Sequence, residues 1–404
     1  MSITLAGSTG GLVGLKRNDH TYLIKLFTGN MNYDEFHNWF VKRQTLRVAS
    51  LVVNNRCNLK CRHCYLQVKN PTGRKLDMIE WEKVIDSIAS MKPGLICVSG
   101  KEVFIDPKGP DLLLHLRKIK NSHNEATRIG FITNGTFLHK HKKTVLAMNP
   151  DYLDISLDGT EEYHDAIRGK GSFSKAFPNV KWAAGTFRER FFTSLTIHKL
   201  NAANFIETVD FLQKNGIHNI AAVFYKPQPY TDAGLTLSDT QVDELFTRLH
   251  RLNSLNPEIP IKVMLDLDTS HLSSVKSFMR SEWFNVSSIK EDENGNLFIR
   301  HKLDNGGSLL FRLHIVPGIE RSRITPEGNL LAAGDTLNTE RYAEYSIGNV
   351  RDFGYNFPAL YNYALYSKRL ELILQEYYNK TLPLLVKEVK GRFLGGRNYE
   401  YRAA

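Results

Sequence analysis

From Ala49 onward, short runs of β-branched and apolar residues alternate with longer segments whose apolar positions recur at helical spacing. The pattern predicts strands over 50–54, 94–99, 128–133, 152–157, 191–198 and 219–225, separated by helices over 78–91, 110–121, 138–147, 173–186, 204–215 and 238–252. Strands that alternate with helices predict βαβ units and a parallel sheet. Six such units suffice for a partial (β/α)6 barrel, an α/β fold.

A parallel strand covered on both sides is normally apolar on both faces. Leu153-Asp154-Ile155-Ser156-Leu157-Asp158 instead alternates polar with apolar, and in 192–198 Ser194, Thr196 and His198 share one face. One face then packs on helices while the other lines a lumen that holds a polar ligand.

Beyond Asn253 the rhythm changes. Turn-rich strands are expected at 296–301, 307–314 and 322–324, with a hairpin turn in Pro326-Glu327-Gly328-Asn329-Leu330-Leu331, and helical periodicity returns over 357–389. The division this predicts is a small N-terminal element over 1–48, the barrel over 49–252, and a mixed α+β C-terminal domain over 253–404 that covers the substrate. No internal repeat or low-complexity segment interrupts it.

The 404 residues are 42% hydrophobic and 24% charged, as in an ordinary globular protein. No apolar run reaches the ~20 residues of a membrane helix, and the start lacks a secretory pattern. A cytoplasmic enzyme without a membrane partner is the expectation. The net charge of +11 admits an acidic partner such as nucleic acid, a phosphorylated metabolite or an acidic peptide. The basic residues are dispersed, however, with only short clusters such as His139-Lys140-His141-Lys142-Lys143. That dispersal reads as solvated helix faces and argues against nucleic acid.

Three of the four cysteines, Cys57, Cys61 and Cys64, lie within eight residues; the fourth is Cys97. A structural zinc site needs four protein ligands, and His63 is adjacent to Cys64, so only a distant histidine could complete one. A disulfide with a spare thiol conflicts with a reducing compartment. The remaining reading is a [4Fe–4S] cluster held by three thiolates, with one iron open to a ligand.

Cys-x3-Cys-x2-Cys just after the first strand of an α/β domain resembles the radical S-adenosylmethionine (SAM) superfamily. The resemblance covers roughly 50–225. It includes Ser99-Gly100-Lys101-Glu102 after the second strand, Thr133-Asn134-Gly135-Thr136 after the third and Ser156-Leu157-Asp158-Gly159 after the fourth. The run His164-Asp165-Ala166-Ile167-Arg168-Gly169-Lys170-Gly171-Ser172-Phe173 is similar to the branch that modifies peptides and natural products.

The resemblance implies that Cys57, Cys61 and Cys64 ligate the cluster and that SAM chelates its open iron. Reductive cleavage of SAM then gives a 5′-deoxyadenosyl radical that abstracts hydrogen from a substrate C–H. It also implies an external electron donor such as flavodoxin or ferredoxin. His63 takes the position against adenine, and Ser99, Gly100 and Glu102 the segment that meets the methionine amino group. Ser156 and Arg168 match positions for the ribose and the methionine carboxylate, to which a planar guanidinium fork is suited. Asn134 and Thr196 line the same mouth. Lys101 and Val103 stand where the family carries a second Gly and a Pro. Backbone contacts survive Lys101 if its φ stays negative, and its side chain is a candidate to reach the substrate. Cys97, by strand parity, faces the lumen and is a candidate hydrogen donor; a compact buried thiol is the alternative.

Relatives that modify peptides often carry extra clusters in a C-terminal domain. No cysteine follows Cys97, and Ala332 and Ala333 stand where the family would place one. One cluster must therefore carry all iron–sulfur chemistry. Tyr225, Lys226, Asp266, Asp268 and Asp335 are candidate pocket groups. Three functions compete: modification of a peptide or peptide-like natural product; dehydrogenation, epimerisation or dehydration of a sugar or aminocyclitol metabolite; and a metal-stabilised nucleic-acid-binding protein.

Overall fold

The structure, a computed structural model, describes residues 16–66, 73–123, 127–228, 231–292, 296–314, 316–331 and 346–394. Two helices, α1 (Lys16–Thr28) and α2 (Tyr33–Arg43), precede the barrel. The barrel alternates β1 (Val48–Leu51), α3 (Met78–Ser90), β2 (Leu95–Val98), α4 (Gly109–His123), β3 (Arg128–Thr133), α5 (Leu138–Met148) and β4 (Tyr152–Ser156). It continues with α6 (Glu161–Arg168), α7 (Ser172–Phe187), β5 (Phe191–Ile197), α8 (Phe205–Lys214), β6 (Asn219–Phe224), α9 (Asp239–Arg248), β7 (Lys262–Asp268) and α10 (Leu272–Arg280). Six described strands follow before the last helices: β8 (Lys290–Glu291), β9 (Leu297–Lys302), β10 (Ser308–His314), β11 (Arg321–Ile324), β12 (Asn329–Leu331) and β13 (Ser346–Asn349). Helices α11 (Phe357–Leu365), α12 (Lys368–Glu376) and α13 (Leu382–Leu394) close the chain, the last two joined by a π turn.

Helix starts follow local chemistry. Asn32, Asp77 and Ser238 each cap a helix and are answered three residues later by Glu35, Glu80 and Gln241 in reciprocal capping boxes. The segment expected to be helical to 252 is α-helical only to Arg248 and tightens into a 3-10 turn over Leu249–Ser254.

The described strands form one curled, mostly parallel sheet in the order β13-β12-β11-β1-β2-β3-β4-β5-β6-β7-β10-β9-β8. The boundary expected at 252 therefore does not separate two sheets. β7 and β10 continue the parallel barrel beyond β6, and β11 flanks β1 in parallel on the other side. The N-terminal helices are not a separate element either. Phe36 packs against the rings of Tyr377 and Tyr378 at 5.9 and 5.5 Å, and the Tyr378 hydroxyl donates to Met31 O at 2.6 Å. One apolar core runs from Leu23 to Val389.

The expected polar lumen is present. On β5, Phe191, Thr193, Leu195 and Ile197 are buried towards helices, while Phe192, Ser194 and Thr196 are half-buried on the other face. Register places Ser50 beside Cys97 and Arg323. Across the curl, Arg312 of β10 acts electrostatically on Tyr152 and Asp154 of β4. Asp154 is pushed up to about 6 by burial, against hydrogen bonding from Ser194 and Tyr152 and the charge of Arg312.

Candidate active site

The cysteine loop leaves the C-terminal end of β1 and is tied down by its neighbours. Glu102 N donates to Arg56 O at 3.1 Å, and Arg62 N to Ile167 O at 3.0 Å. Asn58 Nδ2 donates to Thr136 Oγ1 at 2.9 Å. Arg62 forms a salt bridge to Asp232 at 2.6 Å. Gly100, at φ +77, packs where a Cβ would stand 2.8 Å from Leu66 Cδ1, so the loop after β2 can sit tightly under the cysteine loop only as glycine.

Within this frame Cys57, Cys61 and Cys64 are free thiols that act electrostatically on one another. Burial pushes the Cys61 thiol up to about 12, against the opposing pull of Arg168. Burial also raises Cys57, against hydrogen bonds from Leu59 N and Asn134. Protonated, half-hidden thiols must release protons on ligation, which couples iron loading to pH. Among the described residues no three His, Cys, Asp or Glu side chains gather around a point suited to a single metal ion.

Asp158, just after β4, organises the other wall. It is fully buried. Its Oδ2 accepts from Arg168 Nε at 2.6 Å and lies 2.8 Å from His63 Nε2, while its Oδ1 accepts from Thr196 N at 2.9 Å. Burial alone would raise this carboxyl; Arg168 and then His63 hold it well below the usual carboxylate range. Arg168 acts electrostatically on Cys61 and Cys64, and its terminal nitrogens have no hydrogen-bond partner among the described residues. A guanidinium anchored through Nε, with its fork free beside two cluster-ligand candidates, suits a carboxylate. The donor set therefore fits a cluster with SAM.

The other candidates divide. Ser156 and Thr196 are half-buried at the C-terminal ends of β4 and β5. Ser99 is buried and shares a 2.5 Å hydrogen bond with Ser50. His63 sits at the mouth but is committed to Asp158. Asn134 donates to Cys57 Sγ at 3.6 Å and to Asn58 at 2.9 Å, and its Oδ1 accepts from Thr136. Its place is therefore beside a thiol, where a hydrogen bond stabilises thiolate and tunes a cluster.

Two expectations are corrected. Glu102 is fully buried, and its carboxylate accepts from Thr133 Oγ1 on both oxygens, from Asn134 N at 2.8 Å and from Phe104 N at 3.2 Å. Three donors, one of them a hydroxyl with a single proton, thus already engage a fully buried carboxylate that offers about four acceptor sites. Lys101 has φ +54 rather than a negative value, so it adopts the left-handed conformation that the family's Gly occupies freely.

Cys97 is buried beside Ser50 of β1, and burial raises its thiol further from ionisation, with Asp154 adding to the effect and Arg321 and Arg323 opposing it. Asp266 is bound by Arg312, and Lys226 lies 3.5 Å from Asp268. Tyr225 donates to Thr231 at 2.6 Å and to Asp232 O at 2.9 Å. Asp335, Ala332 and Ala333 lie outside the described residues. Sequence reasoning quoted Asp158 within a motif but gave it no role. The available signal was an acidic residue two positions beyond Ser156, ten before Arg168.

A curled parallel sheet with its candidate site at the strand C-termini defines the class of fold. Residues 51–212 match the family model of the radical SAM superfamily. Its members use a [4Fe–4S] cluster and SAM. The chain is 34% identical over 127 residues to the Fe-coproporphyrin III synthase of Methanosarcina barkeri, covering 31% of this chain and 30% of that protein. It is 28% identical over 137 residues to the subtilosin biosynthesis protein AlbA of Bacillus subtilis, covering 33% and 29%. The chain thus spans under a third of the length of these relatives. In fold it is similar to anSMEcpe with bound AdoMet (TM-score 0.57, 13% identity, 82% of this chain and 84% of that one). It is also similar to Streptococcus suis SuiB bound to its precursor peptide SuiA (TM-score 0.51, 12% identity, 100% and 76%). Among the described residues no helix is long and apolar enough to cross a membrane.

Proposed function

We propose that this chain is a radical SAM enzyme that modifies a peptide or peptide-like natural product. The observation that carries the reading is the free fork of Arg168, held by Asp158 beside Cys61 and Cys64. Cys57, Cys61 and Cys64 would hold the cluster, and Arg168 the carboxylate of SAM. When bound, the two groups supply reductive cleavage that removes a hydrogen atom from a substrate C–H. The protein's residues orient and insulate. Asp158 fixes Arg168 and His63 by charge. Asn134 donates to Cys57. Ser156, Ser194 and Thr196 offer hydroxyls along the mouth. The lumen below, with Cys97, Tyr152 and Asp154, excludes bulk water from the reacting carbon. An external donor such as flavodoxin or ferredoxin would supply electrons. Support for a peptide substrate comes from the names of AlbA, a bacteriocin biosynthesis protein, and of the SuiB complex with a precursor peptide.

Anaerobic reconstitution tests the reading. About four irons per chain are expected, dropping towards none in Cys61→Ala. SAM cleavage under reduction and deuterium transfer from a labelled peptide into 5′-deoxyadenosine are expected to follow. A colourless protein that binds zinc and leaves SAM intact overturns it.

A further inference from the structure

Where the curled sheet comes round on itself, β10 and β11 face each other across a seam that α2 covers. The seam holds a cavity of about 50 Å³ whose lining includes Arg43, Arg47, His314, Glu320 and Arg321 beside Trp39. About 10–15 Å³ of such space takes one water, so this volume suits a small planar group rather than a whole side chain.

The charges around it do not balance. Arg43 is answered by Glu291 in a bidentate pair at 3.0 and 3.2 Å. Arg47 is half-buried; burial lowers its affinity for its proton and Glu320 opposes that. Arg321 has no carboxylate. Among the described residues its one polar side-chain partner is the ring of His314, whose Nε2 lies 2.8 Å and Nδ1 3.1 Å from Nη1; a neutral imidazole offers one of these nitrogens as acceptor. Among the described residues no carboxylate stands within salt-bridge distance of Arg321. A guanidinium carries five donors in a fixed fork, and most of those on Arg321 are unengaged. Arg321 is half-buried, and on the neighbouring element Arg312 is paired with Asp266 two strand positions before His314.

The cavity adjoins the lumen. Arg321 acts electrostatically on Cys97 and on Asp266, both lumen residues. Register sets Arg321 and Arg323 on the same strand face as Val48 and Ser50. A group reaching through the lumen from the cysteine end meets Arg321 at its floor.

We infer that this seam is an anion subsite in which Arg321 receives a carboxylate of the substrate. The inference rests on the proposed function and narrows it: the modified segment carries an acidic side chain or ends in a free carboxylate close to the reacting carbon. The planar fork of Arg321 can bond both oxygens of such a group.

Protection of Arg321 from phenylglyoxal, mapped by peptide mass spectrometry on the full chain, tests it. Three probes are compared: N-acetyl-glutamate α-amide, whose only charge is the side-chain carboxylate; N-acetyl-glutamine, whose only charge is the α-carboxylate; and neutral N-acetyl-glutaminamide. One or both anions at saturation are expected to slow labelling of Arg321 about tenfold, the effect of one charge-assisted hydrogen bond, and which anion protects identifies the source. The neutral probe is expected to give no protection, and exposed Arg188 is the internal standard. In parallel, the protective anion should raise the melting temperature of the wild type and of Arg321→Lys but not of Arg321→Gln. Equal labelling of Arg321 with all three probes overturns the inference, as does an equal thermal shift in Arg321→Gln. Iron loading and SAM cleavage without anion protection sink this inference alone; protection in a chain that loads no iron sinks the radical SAM reading alone.

Discussion

Glu102 and Asp158 are both fully buried carboxylates on loops that leave the C-terminal ends of barrel strands. Glu102 accepts only from neutral donors: two backbone amides and a threonine hydroxyl. Burial raises its carboxyl despite those bonds. Asp158 faces Arg168 and His63, and their charge overcomes burial and drives its carboxyl down. The first joins the loops after β2 and β3 through three neutral donors. The second holds His63 and Arg168, and the terminal nitrogens of Arg168 have no hydrogen-bond partner among the described residues. A buried carboxylate near a site is thus assigned by what already occupies its oxygens, not by its position in a motif.

The largest effect expected from breaking this contrast is in Asp158→Asn. Removing one partner of a buried ion pair costs ~3–5 kcal/mol, read from the midpoint of denaturant unfolding. SAM affinity of the reconstituted protein should fall about tenfold or more by calorimetry, because Arg168 loses its anchor. Glu102→Gln is expected to cost ~1–3 kcal/mol, since one acceptor becomes a donor. SAM affinity should change by less than about threefold, well under one charged hydrogen bond. If Glu102→Gln weakens SAM as much as Asp158→Asn does, the contrast is wrong.

The two carboxylates also predict opposite pH limbs. The folded Asp158 carboxyl lies below its unfolded value of ~3.9. Its contribution is present above that pH and is lost as pH falls towards the folded value. Glu102 is raised, so its contribution is present below the unfolded value of ~4.3 and is lost as pH rises through the folded one. Asp154, raised to about 6, adds a loss of the same sign between ~4 and 6. Unfolding titrations should show Asp158→Asn flattening the acid limb, whereas Glu102→Gln and Asp154→Asn should lessen the decline on the rising side. The smallest effect expected is in Lys101→Gly. A non-glycine residue in the left-handed region costs ~1–2 kcal/mol, partly offset by glycine's extra chain entropy. A gain of about 0.5 kcal/mol in unfolding free energy is the outcome to look for, and a loss would mean that the lysine side chain makes a stabilising contact.

Much of the barrel was legible because its signals are local. β3 was predicted at its observed bounds, and β4, β5 and β6 to within one residue at one end, since β-branched runs bounded by turns need no tertiary information. The cysteine spacing and the polar face of β5 were equally plain. The continuation of the sheet past β6 was not, because β7, β10 and β11 are separated by helices and turns that read as a second domain. Nor was the fate of Glu102, whose partners Thr133 and Asn134 lie thirty-one and thirty-two residues away.

By itself the sequence determined the alternation of strands and helices, the cysteine triad and the order of motifs at strand ends. Those follow from periodicity and spacing, which a chain carries wherever it goes. Only the tertiary structure decided which charges meet. Arg168 reaches Asp158 after one helix, Arg312 faces Asp154 across the curl, and Arg321 is left at the seam with a histidine. Pairing of buried charge depends on distances of a few ångströms between segments far apart in the chain, and such distances exist only after the sheet has curled.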